Sequence, residues 1–263
     1  MDNTYWLRQT KDKPLFPEML WSRPENKRHA GKLLIIGGNS FGFSAVGEAF
    51  QESQEAGIGA ARVLLPEAIR KVVGLVLEHA EYGASTPSGS FGQKALGEWL
   101  DNSNWSDAVL IAGDLGRNSE TAILIEKFLD KSSSAVTLTK DAVDYFIPLA
   151  KTYQNRPNTT LVLSLAQLQK LATALGFDQA FRLGMDLVQL VGTLHAFTNK
   201  FTLEIITKHL EVLVIGVNGQ VSTTKLEQNK EIWRVQIAAQ AVTWRTQNFS
   251  KPFEAMTTAV HLQ

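Results

Sequence analysis

The sequence contains no cysteine among its 263 residues. This absence excludes a disulfide framework, thiolate metal sites, iron–sulfur clusters and a cysteine nucleophile. Net charge is absent as well, because 26 Lys and Arg residues balance 26 Asp and Glu residues. A neutral chain has no bulk electrostatic attraction to nucleic acid or to an anionic membrane, so neither is expected as a partner. Its copies repel each other little, which favours a homo-oligomer.

Signals for export and for membrane insertion are missing too. Charged residues interrupt the start of the chain and leave no apolar core for a signal peptide; they are Asp2, Arg8, Lys11, Asp12 and Lys13. The apolar runs at 32–36 and 212–217 are too short to span a bilayer. We therefore expect a cytoplasmic protein.

Short apolar runs alternate with amphipathic segments through the first two thirds of the chain. Residues 33–36 form a continuous apolar run that ends at Gly37, as is typical of a strand buried on both faces. The same reasoning predicts further strands over 60–65, 108–111, 135–138 and 160–163. It predicts helices over 44–56, from Pro66 onward and, with Ser119 as its N-cap, up to Leu129. This alternation predicts a mostly parallel sheet with helices on both faces.

The last third of the chain has a different pattern. It predicts a helix over 178–197, three closely spaced strands over 202–207, 211–215 and 220–224, and helices over 231–247 and 251–262. Asn218 and Gly219 tolerate positive φ and favour an antiparallel hairpin at the sheet edge. Ser250 is the expected N-cap of the last helix. Residues 1–30 are interpreted as a lead-in segment, and the whole chain as one domain.

Two glycine-rich turns follow predicted strands. The first contains Gly37, Gly38, Asn39, Ser40 and Gly42, and the second contains Gly113, Asp114, Gly116 and Arg117. Glycines let the backbone approach a ligand, and a following helix N-terminus offers N–H groups to an anion. Ligands of open parallel sheets lie outside the carboxyl ends of the strands. The turns therefore indicate either a shared phosphate-binding crevice or two tight strand-to-helix connections. Asp114 and Arg117 either line the crevice or pair with each other.

A family resemblance rests on the segments 23–40 (RPENKRHAGKLLIIGGNS) and 56–66 (AGIGAARVLLP). They resemble the ADP/ATP-dependent NAD(P)H-hydrate dehydratase family of the ribokinase-like superfamily, often labelled carbohydrate kinase-like. Weaker similarities follow: 113–116 to its G-P-G-L-G turn, 139–143 to its D-A-D-A-L segment, and 208–209 to its Lys-Gly pair. The second acidic position of D-A-D-A-L is retained as Asp141.

The resemblance implies a fold, ligands and candidate site residues. The fold is a three-layer α/β sandwich with a mostly parallel central sheet and an antiparallel edge hairpin. The implied nucleotide is ATP or ADP, the implied substrate is hydrated NAD(P)H, and the family commonly forms homo-oligomers. The candidate ligand-binding residues are Gly37, Gly38, Asn39, Ser40, Gly42, Gly113, Asp114, Gly116, Asp141 and Lys208.

Two family motifs are replaced in this sequence. The family has G-T-G-D at the start of its penultimate helix, where glycine amides hold phosphate and the Asp acts in the chemistry. Residues 228–236 read QNKEIWRVQ instead, with Arg234 at the Asp position, bulky Ile232 and Trp233, and Glu231 as the nearest carboxylate. The T-P-H-x-x-E segment is replaced by 163–168 (LSLAQL), which has no His, Pro or acid. No catalytic residue is therefore assigned.

Several functions remain open. Loss of a transition-state group commonly costs several kcal/mol, so the sequence favours a catalytically impaired homologue that binds a ligand or assembles. The alternatives are an active dehydratase with substituted catalytic groups, a repurposed enzyme, and an interaction subunit paired with an active relative.

A few other side chains have two interpretations each. The five histidines show no metal-ligand spacing. His29 either contacts a ligand or lies in a solvated loop, and His195 is expected in the core or in an interface. Trp233 and Trp244 share a helix face, which predicts burial within the monomer or a subunit contact.

Overall fold

The computed structural model describes residues 4–10, 12–73, 80–226 and 233–262. Within these ranges, ten strands form one sheet in the order β1-β10-β9-β8-β7-β6-β5-β2-β3-β4. The strands are β1 (Trp6–Gln9), β2 (Lys32–Gly37), β3 (Ala60–Pro66), β4 (Glu81–Gly83), β5 (Ala108–Gly113), β6 (Ala135–Thr139), β7 (Thr159–Val162), β8 (Glu204–His209), β9 (Val212–Val217) and β10 (Gln220–Lys225). Strand β9 is antiparallel to both of its neighbours, and all other neighbouring pairs are parallel.

Helices cover both faces of the sheet. They are α1 (Pro17–Trp21), α2 (Ser44–Glu55), α3 (Arg70–Val73), α4 (Leu96–Trp105), α5 (Ser119–Lys131), α6 (Asp141–Phe146), α7 (Ala150–Tyr153), α8 (Leu165–Leu175), α9 (Leu187–Lys200), α10 (Arg234–Gln247) and α11 (Pro252–Ala259). Among the described residues, no helix is both long and apolar enough to cross a membrane.

The core has two halves, one on each face of the sheet. Successive side chains of a strand point to opposite faces, and β2 has no polar side chain from Leu33 to Gly37. Leu34 and Ile36 of β2 therefore pack with α4 to α9, whereas Leu33 and Ile35 pack with α2, α10 and α11. All four side chains are fully buried. The predicted α/β architecture with a helical layer on each face is confirmed.

The direction of strand addition reverses beside β2. The chain first adds β3 and β4 on one side of β2, then adds β5, β6, β7 and β8 on the other side. The carboxyl ends of β2 and β5 therefore border a topological switch point, where open α/β sheets place their ligand crevice. Gly37 and Gly113 end these two strands.

The antiparallel hairpin forms as predicted, and a further strand lies outside it. Asn218 and Gly219 connect β9 to β10 with φ values of 47° and 78°. Strand β1 then pairs in parallel with β10. Its Trp6 indole donates to the Thr223 hydroxyl at 3.0 Å. The interpretation of residues 1–30 as a lead-in segment missed this strand. Strand β1 has only four residues, two of them polar, and so it contains no apolar run.

Helix α9 starts later than the sequence predicts. The predicted helix over 178–197 is wrong at its start, since α9 begins at Leu187. Gly176 ends α8 in the left-handed conformation, with φ 66°. The carboxylate of Asp186 then caps α9 by accepting from the Gln189 amide at 2.8 Å. Phe181, between the two helices, lies buried among aromatic rings instead of continuing a helix.

Two predicted N-caps are displaced by one residue. Asn118, and not Ser119, caps α5, and its side-chain oxygen accepts from the Glu120 amide at 2.8 Å. Lys251, and not Ser250, occupies the N-cap position of α11, with no side-chain cap bond. Helix α5 therefore begins one residue earlier than its predicted cap implies, and α11 begins one residue later.

Candidate functional site

The carboxyl edge of the sheet brings the predicted site residues into one row. Gly37 ends β2 and begins the turn 37–42, Gly113 ends β5 and begins the turn 113–116, and Asp141 opens α6 two residues after the end of β6. Lys208 lies near the carboxyl end of β8, three strands from β5. The two glycine turns are in contact, because the Gly38 amide donates to the Gly113 carbonyl at 3.0 Å.

The turn after β2 satisfies its own amide groups. Beyond Gly38, the Asn39 and Gly42 amides bond to each other's carbonyls at 2.8 and 3.2 Å, and the Ser40 amide donates to Gly89 at 3.1 Å. The Phe41 amide donates to the Asn39 side chain at 2.7 Å. Each amide from Gly38 to Gly42 therefore already has a protein acceptor. This geometry favours a tight connection over a phosphate cradle.

Asp114 places a carboxylate at the start of α2. One oxygen, Oδ2, accepts from the Ala45 amide at 2.9 Å and lies 3.4 Å from the Ser44 hydroxyl. The other, Oδ1, forms an ion pair with the Lys140 ammonium. The considered pairing of Asp114 with Arg117 is wrong, because Lys140 is the ion-pair partner of Asp114. An internal anion therefore occupies the helix N-terminus that the glycine turn precedes.

Asp141 is the second carboxylate at this edge. Its Oδ2 accepts from the Leu115 and Gly116 amides at 2.9 and 3.1 Å. Its Oδ1 is buried and has no hydrogen-bond partner among the described residues. Burial raises the pKa of this carboxyl group above its ordinary value, although the two amide bonds and Lys140 act in the opposite direction. A carboxyl group of this kind suits proton transfer.

The first turn of α10 is filled by two large side chains. Trp233, only 8% exposed, precedes the helix, and the Lys208 ammonium lies 5.8 Å from its ring centre. Arg234 opens the helix and donates to the Gln167 side chain at 2.9 Å, which in turn donates to the Lys140 carbonyl at 2.8 Å. Burial lowers the pKa of Arg234, and the nearby Asp144 and Asp141 oppose that shift. Glu231 and Ile232 lie outside the described residues.

A cavity of about 790 Å³ opens beside this edge, between α5, α6 and α8. Its lining includes two exposed cations, two carboxylates, the start of α5 and an apolar wall: Gly116, Arg117, Asn118, Ser119, Ala122, Asp141, Asp144, Tyr145, Ile147, Pro148 and Lys170. The Tyr145 hydroxyl donates to the Gly116 carbonyl at 2.7 Å and accepts from the Asn118 amide at 2.9 Å. These two bonds fix the phenol ring as a wall of the cavity.

Sequence reasoning missed part of this arrangement. Tyr145 and Lys170 belong to no motif, and no sequence feature of either residue predicts a place in a site. Gln167 did have one, because Ser164 and Gln167 match the S-x-x-Q capping box, which is present here with both of its bonds.

The structure gives the surroundings of the tryptophans and histidines that had two interpretations each. Trp233 and Trp244 are buried within the monomer. The His195 ring stacks on Tyr5 at 3.7 Å and bonds to the Gly219 carbonyl, while His29 is exposed. In the described part of the chain, no three His, Cys, Asp or Glu side chains converge as a metal site.

Comparison with solved structures identifies the architecture. A ribokinase-like superfamily protein from Enterococcus faecalis superposes with a TM-score of 0.74 at 14% identity, covering 100% of this chain and 87% of that one. The chain has a ribokinase-like fold. A UPF0031 family member from Bacillus subtilis has a TM-score of 0.65 at 16% identity. The match covers 95% of this ribokinase-like chain and 87% of the Bacillus subtilis chain.

A third neighbour of the ribokinase-like chain has a named activity. It is the ADP/ATP-dependent NAD(P)H-hydrate dehydratase from Bacillus subtilis, co-crystallised with ATP and Mg²⁺. Its TM-score is 0.63 at 15% identity, and the match covers 90% of this chain and 80% of that one. No protein-family model matches the sequence, and no match was found among curated proteins. At these identities the comparison shows the fold.

Proposed function

We propose that this chain is a catalytically impaired ribokinase-like protein that binds a nucleotide-type small molecule at the carboxyl edge of its sheet without dehydrating NAD(P)H hydrate. The observation that carries this proposal is the first turn of α10. In the family that the sequence resembles, this turn supplies glycine amides for phosphate and an Asp for the chemistry. Here buried Trp233 and the anchored Arg234 take that place.

The chemistry of these two side chains separates binding from turnover. A guanidinium at a helix N-terminus attracts phosphate, so Arg234 supports retained binding of an anionic ligand. It cannot accept a proton at neutral pH, so it does not replace a catalytic carboxylate. The indole of Trp233 fills space that close approach of a phosphate to the backbone requires.

The test combines an activity assay with a binding assay on the pure protein. Hydrated NADH is incubated with protein and ATP or ADP, and recovery of NADH is followed by its absorbance. Binding of ATP and ADP at millimolar concentration is followed by thermal shift. We expect a stabilising shift and no recovery of NADH. ATP-dependent recovery of NADH contradicts the loss of activity, and absence of any shift contradicts binding.

A matched pair of variants locates the binding. Arg234→Ala removes the guanidinium at the start of α10 and should weaken the ATP shift. Arg182→Ala removes an exposed arginine whose side chain forms no hydrogen bond or ion pair in the described part of the chain, and it should leave the shift unchanged.

The alternative function is an active dehydratase with substituted catalytic groups. The observation in its favour is Asp141, a carboxyl group with a raised pKa at the same sheet edge. If the wild type recovers NADH, Asp141→Asn should abolish turnover while leaving the ATP shift in place. Equal rates for the two proteins would remove Asp141 from this role.

A further inference from the structure

The cavity between α5, α6 and α8 holds two cations without partners. Arg117 precedes α5 and Lys170 lies on α8, and both line the cavity. Neither forms a hydrogen bond or an ion pair within the described ranges, and both side chains are exposed to solvent. Unpaired cations on a single concave surface favour an anionic ligand.

The two carboxylates of the same cavity interact with other groups of the protein. Asp141 accepts from two backbone amides, at 2.9 and 3.1 Å. Arg234 interacts electrostatically with both Asp144 and Asp141. The lining therefore carries two cations against two carboxylates, and Arg234 adds one positive charge from outside it.

The start of α5 adds to this positive charge. The helix is 13 residues long, and its N-terminus carries a partial positive charge. The Asn118 side chain caps the helix through Glu120, and Ser119 follows at the cavity wall. Two cations beside a helix N-terminus suit a doubly charged phosphate better than a single carboxylate.

The rest of the lining indicates the chemistry of the uncharged part of the ligand. Tyr145, Ile147, Pro148 and Ala122 form an apolar wall, and the two hydrogen bonds of the Tyr145 hydroxyl hold its ring in place. The volume of about 790 Å³ lies within the range of about 300–1,000 Å³ typical of small-molecule sites. An apolar wall next to a charged end favours a ring that carries the anion.

We propose that this cavity binds a small molecule with a phosphate monoester on a ring-bearing body. Arg117, Lys170 and the first turn of α5 supply the positive charge for the phosphate, and the Tyr145 wall packs against the body. This inference goes beyond the proposed function, because it names a separate cavity and the class of its ligand, and because it requires no turnover.

Isothermal titration with AMP, ribose 5-phosphate and adenosine tests the proposal. We expect wild-type protein to bind AMP at least tenfold more tightly than adenosine, with ribose 5-phosphate in between, and to lose AMP affinity as salt rises. The Arg117→Gln/Lys170→Gln variant should bind AMP at least tenfold more weakly and bind adenosine as the wild type does. The Arg182→Gln/Lys151→Gln variant removes two exposed cations that do not line the cavity and should behave as the wild type.

A further variant tests the cavity itself. Ala122→Trp keeps both cations but fills the cavity, so it should abolish AMP binding. Equal affinity for AMP and adenosine, no binding of any probe by folded wild type, or full AMP affinity in either cavity variant each overturns the proposal. None of these outcomes depends on the dehydratase assay, so the two proposals fail separately.

Discussion

Asp114 and Lys140 form an ion pair between the segments that follow β5 and β6, and both residues have positive φ, at 56° and 53°. Positive φ is uncommon outside glycine. The other carboxylate oxygen of Asp114, Oδ2, accepts from the Ala45 amide at 2.9 Å. The start of α2 therefore holds an anion that belongs to the protein itself.

The first prediction concerns this internal anion. Asp114→Ala removes an acceptor and a negative charge from the first turn of α2, and it leaves Lys140 without its partner. We expect a loss of about 1–2 kcal/mol in the free energy of unfolding, since caps and helix-dipole interactions are of this size. Urea unfolding measures the change.

A double-mutant cycle isolates the ion pair itself. Lys140→Met and Asp114→Asn are made singly and together, and the coupling energy is calculated from the four unfolding free energies. A coupling energy indistinguishable from zero would show that the pair contributes nothing to stability.

The second prediction concerns the close approach of β2 and β5. A Cβ atom at Gly37 would lie 2.5 Å from the Gly113 carbonyl oxygen and 2.8 Å from a Val46 methyl group. Gly37→Ala should therefore destabilise the fold by about 1–3 kcal/mol through overpacking. Gly47, within α2, has no atom within 4 Å of such a Cβ. Gly47→Ala should stabilise the fold by about 0.5–1 kcal/mol, because alanine favours the helix. Equal effects of the two substitutions would contradict this packing argument.

The sequence predicted the central strands because burial on both faces leaves a visible apolar run. Strands β2 and β5 are found within two residues of their predicted ends. Strand β4 spans only Glu81–Gly83 and has no run of this kind. Strand β1 depends on pairing with β10, more than 200 residues later, which no local pattern reports.

The candidate site was less accessible to prediction. The glycine turns at the ends of β2 and β5 were visible in the sequence, because turns at strand ends have a local signature, whereas the switch point between these strands follows from the strand order. The acceptors of the Gly38 and Ser40 amides in the first turn belong to Gly113 and Gly89, far along the chain. Whether an amide is free for phosphate depends on such distant acceptors, so sequence alone could not separate a cradle from a tight connection.

The third prediction concerns a buried ion pair between α10 and β8. Arg245 and Glu204 side chains are 4% and 7% exposed, and two hydrogen bonds of 2.7 and 2.9 Å join them. Arg245 also donates to the Asn158 side chain at 3.0 Å. Arg245→Ala leaves Glu204 buried without its countercharge, so we expect a loss of about 3–5 kcal/mol in the free energy of unfolding. Chemical denaturation measures this loss.

Removal of both charges separates the pair from its surroundings. Arg245→Met combined with Glu204→Met replaces the two ions with apolar side chains of similar length. This double variant should be more stable than Arg245→Ala, since no unpaired charge remains. A double variant less stable than Arg245→Ala would show that side-chain packing, and not charge, dominates at this position.

The fourth prediction concerns the pH dependence of stability at Asp141. Burial raises the pKa of this carboxyl group in the folded protein above its ordinary value of 3.8. Between these two values the folded state holds more protons than the unfolded state, so the free energy of unfolding falls as pH rises through that window. Asp141→Asn keeps the acceptor for the Leu115 and Gly116 amides but does not titrate. Its stability relative to wild type should therefore increase from pH 3.8 upward and level off above the raised pKa.

Asp144→Asn removes an exposed carboxylate of the same helix and controls for net charge. Parallel stability curves for wild type and Asp141→Asn, measured by urea unfolding across this pH range, would show that burial does not destabilise the ionised form.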